Sequence, residues 1–126
     1  MVRCASILFA FVVSVTIPTA GYAEETGWLS GYNAYNRGKA LERQGFMPVK
    51  MLCRDSSKRQ LDVAETEYNV TFAKNTAGVK FLWAVGSEYG PYKLKADKEG
   101  YQQVSFKQYK RKKSGLVVRC AIWHKG

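Results

Sequence analysis

The sequence predicts an α+β domain, with one N-terminal helix packed on a small antiparallel sheet of about five strands and one disulfide. Three observations carry this. Residues 30–44 form a capped stretch with charged faces, the later segments repeat apolar residues at every second position, and two cysteines, Cys53 and Cys120, remain once the N-terminus is set aside. At 46% hydrophobic residues the chain can build a core, which excludes a disordered basic tail, and 126 residues are too few for two ordinary domains.

The N-terminus is a targeting segment by pattern. Residues 1–23 carry a basic start at Arg3, an apolar run from Ala5 to Ile17 and the exit Pro18-Thr19-Ala20-Gly21-Tyr22-Ala23. This reads as a secretory signal peptide cleaved after Ala23, leaving residues 24–126 as one small domain in the periplasm or outside the cell. An uncleaved anchor is the alternative, but the apolar run falls short of the ~20 residues a spanning helix needs. No cysteine lies at the exit to carry a lipid.

Processing removes Cys4, so Cys53 and Cys120 are an even pair in an oxidising compartment and are expected to join. Closing so long a loop contributes about 4 kcal/mol in the chain-entropy treatment. A thiol metal or redox site is the competing reading. It lacks a Cys-x-x-Cys, and His124 is the single histidine available to a metal shell.

Within the mature chain, Ser30 is the candidate helix cap and Gly45 the stop, with Tyr32, Tyr35, Ala40 and Leu41 as an imperfect apolar stripe. Pro48 argues for an extended run from Met47 to Arg54. Tyr68, Val70 and Phe72 alternate, as do Val79, Phe81, Trp83 and Val85 across Lys74-Asn75-Thr76-Ala77-Gly78, which predicts a hairpin. A second hairpin pairs Val104, Phe106 and Gln108 with Leu116, Val118, Cys120 and Ile122 across Lys112-Lys113-Ser114-Gly115. Residues 86–100, with Gly90-Pro91, read as a long loop between the hairpins, and residues 56–67 fit either a short helix or a strand.

Catalytic patterns are missing. His124 lies third from the C-terminus, a poor place to hold a proton shuttle, and is expected to be solvent-exposed. Asp62, Glu65 and Glu67 are the only acidic cluster, and alternation places Glu65 and Glu67 opposite Val63 on the wet side, where a carboxylate keeps its ordinary pKa. The glycines near Gly86, Gly90 and Gly100 are spaced too widely for a phosphate loop. Asn69-Val70-Thr71 fits the glycosylation pattern, which has meaning only in a eukaryotic secreted chain. The sequence therefore predicts no enzyme, no cofactor and no metal.

The basic excess has a location. Of the net charge of +10, Lys107, Lys110, Arg111, Lys112 and Lys113 crowd one hairpin turn, with Lys93, Lys95 and Lys98 in the segment before it. Such a run is either a solvated turn that guards a sheet edge or an anion dock whose binding is salt-dependent. Among the aromatics, Trp83 falls on an inward face, whereas Trp28, Tyr89 and Tyr92 are expected at the surface, where flat rings can stack on a partner.

Gly100-Tyr101 with Val104-Ser105, Tyr109, Gly115 and Ala121-Ile122-Trp123 resembles one unit of the tandem repeat modules found in some exported bacterial proteins. Gly45-Phe46-Met47-Pro48 is similar to the opening of such a unit, although the further copies of an array are missing. The resemblance implies a bacterial envelope origin and a non-catalytic role. The resulting expectation is an exported binding module that engages an anionic polymer, lipopolysaccharide phosphates or an acidic protein through the basic turn, with no specific nucleic acid as partner. The alternative expectation is an inhibitor or immunity protein that plugs a target with an aromatic loop over residues 88–95, bearing Tyr89, Tyr92, Lys93 and Lys95.

Overall fold

The computed structural model of the protein describes residues 23–56, 66–112 and 114–126. The proposed signal segment before Ala23, the carboxylates Asp62 and Glu65, and Lys113 lie outside the described residues. In chain order the elements are β1 (Glu24–Glu25), β2 (Leu29–Ser30), α1 (Gly31–Arg43), β3 (Phe46–Asp55), β4 (Thr66–Lys74), β5 (Lys80–Val85), a single 3₁₀ turn (Gly86–Glu88), α2 (Tyr89–Glu99), β6 (Gln102–Lys110) and β7 (Val117–Lys125). The chain is mixed helix and sheet as expected, but with seven described strands in two antiparallel sheets where about five in one were expected. The first helix follows two short strands, and there is a second helix.

In the first sheet β4 is central, with β3 on one side and β1 and β2 on the other; in the second, β7 is central between β5 and β6. The hairpin expected between residues 68–72 and 79–85 does not form: β4 pairs with β3, and β5 with β7. The turn explains the divergence. Asn75 accepts from the Val79 N–H through Oδ1 and donates to the Val79 carbonyl through Nδ2, both at 2.8 Å, and Gly78 takes φ +65°, so the chain leaves one sheet and enters the other. The hairpin of β6 and β7 forms as expected.

Helix α1 begins where Ser30 Oγ accepts from the Asn33 N–H and ends at Gly45, whose φ of +86° only glycine adopts cheaply. Its buried face is Ala34, Gly38 and Leu41, whereas Tyr32, expected in the apolar stripe, is exposed, and Tyr35, expected there too, is part-exposed beside the Trp83 ring. Small residues are required there because a Cβ on Gly38 would lie 2.8 Å from the Trp83 ring and 3.2 Å from Phe72. Residues 86–100, expected as a loop, are mostly α2. Pro91 sits in its first turn, where the missing N–H has no helical acceptor to lose, Lys93 pairs with Asp97 one turn on, and Gly100 closes it at φ +79°.

Two apolar clusters result. One joins Ala34 and Leu41 of α1, Met51 and Cys53 of β3, Tyr68, Val70 and Phe72 of β4, and Cys120 and Ile122 of β7. The Cys53–Cys120 disulfide lies within it. The second joins Ala84, Ala96, Ala121 and Trp123 under α2. The middle of β7, residues 120–123, is therefore buried on both faces, which is why its sequence loses strict alternation there. Strands β3 and β6 lie side by side, and Ser105 joins them by accepting from the Met51 N–H at 3.0 Å and donating to the Met51 carbonyl at 3.5 Å. His124, expected at the surface, is half-buried, and its Nε2–H donates to the Pro48 carbonyl at 2.7 Å.

The registers reveal an internal duplication. Residues 24–74 run strand, helix, strand, strand, with β1 and β2 as one interrupted strand, and residues 80–125 repeat that order as β5, α2, β6 and β7. The strand order is also the same, since the last strand of each unit is central in its sheet. Gly45 and Gly100 hold the same place after each helix, both at positive φ. Each first hairpin strand then carries an irregularity at an equivalent point, between Pro48 and Lys50 and between Gln103 and Ser105. Pro48 opposes Phe72 just before the first, as Gln103 opposes Trp123 before the second. The two glycine-aromatic segments singled out in the sequence thus open equivalent strands of two units.

Candidate functional site

The shared register allows the two units to be compared position by position. On the face that meets its helix, unit 1 places Met51, Cys53 and Asp55 opposite Val70, Tyr68 and Thr66. Unit 2 places Phe106, Gln108 and Lys110 opposite Ala121, Arg119 and Val117. The unit 1 face is closed: α1 covers part of it, and the back of β7, with Cys120 and Ile122, covers the rest. Among the described residues the unit 2 face is covered by α2 alone, which lies over β5 and β7. What remains uncovered is a surface with Phe106 at 43% exposure, Val117 at 46% and the solvent-facing Gln108, Lys110 and Arg119.

Aromatic contacts hold the floor of this surface. The Tyr89 ring lies 5.8 Å from Phe106 and 5.7 Å from Trp123, and the Arg119 guanidinium stands 6.0 Å from the Tyr89 ring. Val104, at 47%, occupies the irregular position of β6, so Val104 and Phe106, expected to point inward, are exposed. The inward side of β6 belongs to Ser105 and Tyr109.

The expected basic cluster does not form one patch. Lys110 shares the open face with Arg119, whereas Lys107 pairs with Cys120 in the register of the opposite face. Arg111 is half-buried, and its guanidinium donates to Thr66 Oγ1 at 3.2 Å. Thr66 also bonds the hydroxyls of Tyr109 and Tyr68, so Arg111 serves a structural network at the ends of β4 and β6. Burial pushes the Tyr68 hydroxyl above its ordinary pKa; the Thr66 hydrogen bond opposes this, Tyr109 and Glu88 add to it, and Arg111 lowers it. Lys112 is exposed, and its backbone N–H donates to Asp55 Oδ2 at 3.1 Å. Lys113 lies outside the described residues.

Among the described residues, the ion pairs are Arg37–Glu24, Lys39–Glu42, Arg54–Glu67 and Lys93–Asp97. None of these pairs uses Lys107, Lys110, Lys112 or Arg119. Arg119 is the residue that sequence reasoning missed. It stands apart from the lysine run, and only the cross-strand register brings it beside Gln108 and Lys110.

The aromatic loop expected over residues 88–95 is a helix whose Tyr89 and Tyr92 are half-buried against the second cluster. Lys93 is held by Asp97 at 2.7 Å, a hydrogen bond that raises its pKa, and Lys95 is exposed. Trp28, expected at the surface, is half-buried, with the Arg54 guanidinium 3.8 Å from the centre of its ring. Glu67, expected on the wet side, lies on the face of the first sheet away from α1 but is mostly buried, its side chain 14% exposed and paired with Arg54.

No group of three or more His, Cys, Asp or Glu side chains that could hold a metal occurs among the described residues. Among them, no helix is long and apolar enough to cross a membrane. Comparison of the chain with family models, curated proteins and solved structures gives no match.

Proposed function

We propose that the protein is an exported, non-catalytic binding module whose open unit 2 face docks an acidic protein surface. One observation carries the reading: the face that unit 1 fills with its own chain is left open in unit 2 and changes character. Buried Met51, Cys53 and Tyr68 are replaced there by Phe106, Gln108 and Arg119. A ring with amide and cationic neighbours is the composition of a protein-docking patch, in which the ring supplies burial and the charges supply selectivity.

The alternatives fit less well. A second copy stacked in the same way would offer the outer face of the first sheet, where Glu67, Asn69 and Thr71 stand in place of Val118, Cys120 and Ile122. Those three side chains are polar and only part-exposed, so they offer a second copy little apolar surface. A polyanion would use the charges but leave Phe106 and Val117 in water. The disulfide agrees with an oxidising compartment.

The test uses poly(Glu,Tyr) as an acidic polypeptide probe, with heparin and phosphatidylglycerol vesicles as comparison ligands. The reading expects binding to poly(Glu,Tyr) at low salt that weakens toward 0.15 M ionic strength, where screening reaches about 8 Å. Lys110→Ser with Arg119→Ser should lower the affinity by about tenfold or more, and Phe106→Ser should lower it without changing the salt dependence. Equal or tighter binding to heparin or vesicles, or indifference to Phe106→Ser, would overturn it.

A further inference from the structure

A second feature lies where the two units meet, on the other side of the molecule's charge balance. Between α1, β5 and α2 is a cleft of about 350 Å³, walled by aromatic rings that include Tyr35, Trp83 and Tyr92. That size lies within the range of small-molecule sites. Its charged lining is Lys39, Glu42 and Glu88, a local excess of negative charge in a chain of net charge +10.

The walls are held in place. Trp83 Nε1–H donates to Glu42 Oε1 at 3.0 Å, its ring stacks with Tyr35 at 6.2 Å, and Phe72 meets its edge at 6.3 Å. Gly38 leaves the room that the indole occupies. The other Glu42 oxygen holds the Lys39 ammonium at 3.0 Å, which also stands 5.4 Å from the centre of the Tyr35 ring. The rim therefore already surrounds one ammonium with a carboxylate and a ring face, from a half-exposed side chain that can swing away. Glu88 is exposed on the turn before α2 and enters none of the described ion pairs.

We infer that this cleft binds a small organic ammonium ion, with the rings of Tyr35, Trp83 and Tyr92 facing the cation and Glu42 and Glu88 supplying the charge. Ring faces attract cations through their quadrupole, and the attraction is largest where water is excluded. Lys39 competes for the same place, so it sets the affinity. This inference is independent of the unit 2 face, since the cleft shares no residue with it.

The test is a titration of the purified mature protein with tetramethylammonium, read from the Trp83 indole N–H resonance, which reports the Glu42 contact directly. Neopentyl alcohol, of the same shape without charge, and methyl glucoside, a neutral sugar, are the controls. A saturable shift is expected with tetramethylammonium, with the alcohol weaker by about tenfold and the sugar without effect. Lys39→Gln should strengthen binding by about threefold and Glu88→Gln should weaken it by a similar factor, the first at a half-exposed group and the second at an exposed one, neither of which holds the core. Equal binding of the alcohol, binding of the sugar in place of the ammonium, or loss of affinity in Lys39→Gln would each overturn the assignment.

Discussion

The two units share element order, strand order and the position of their irregular residues, yet one helix-side face is closed and the other is open. In unit 1, Met51 is 1% exposed and Tyr68 is 6% exposed, because α1 and the back of β7 divide the surface between them. In unit 2, Phe106 and Arg119 stand at the matching places with only α2 nearby. A sheet needs a cover for each apolar face, and among the described residues the helix-side face of unit 2 is covered only in part, by α2. That face is the one proposed to receive a partner.

Substitutions at matched places distinguish a closed face from an open one. The largest effect is expected from the cross-link that ties β3 of unit 1 to β7 of unit 2. Replacing Cys53 and Cys120 by Ser should cost about 4 kcal/mol in urea unfolding, and reduction of the wild type should reproduce the loss. Next come the matched substitutions Met51→Ala and Phe106→Ala. The first should cost about 3 kcal/mol because it empties a closed site, and the second about 1 kcal/mol or less because the ring is already half in water. Equal costs would mean that the unit 2 face is not open in solution.

Smaller again is Gly38→Ala. The helix gains about 1 kcal/mol of propensity, but the new methyl would meet the Trp83 ring at 2.8 Å, so a net loss of about 1–2 kcal/mol is expected, read as a lower melting temperature. The smallest effect concerns Tyr68. Its pKa is raised in the folded chain, so the fold favours the neutral phenol: this contribution is intact below the unfolded value near 10.0 and is lost as pH rises through the folded value. Stability should therefore fall above about pH 10, and Tyr68→Phe should flatten that part of the profile.

Much of this is written in the sequence, and what is not has physical causes. Ser30, Gly45 and the alternation of Val118, Cys120 and Ile122 report local geometry, so α1, the last hairpin and the disulfide are legible. Alternation reports which face a residue takes, but not which strand it joins, and so β4 and β5 read as a hairpin although Asn75 and Gly78 send them to separate sheets. Gly90-Pro91 reads as a turn, yet proline in a first turn with glycine past the end is equally a helix signature. The duplication is hidden because its equivalent positions differ in chemistry, as Tyr68 and Arg119 do. Charge along the chain locates the basic hairpin but not its sides: Lys107 and Lys110 part to opposite faces, and Arg111 turns in toward Thr66.

Docking of an acidic partner on the open face of unit 2 is tested by chemical-shift mapping of the mature protein with an acidic Glu- and Tyr-containing peptide at low salt. Shifts are expected at Phe106, Gln108, Lys110 and Arg119, with the outer face of the first sheet at Glu67, Asn69 and Thr71 silent. Shifts centred on that polar face, or none on β6 and β7, would contradict it.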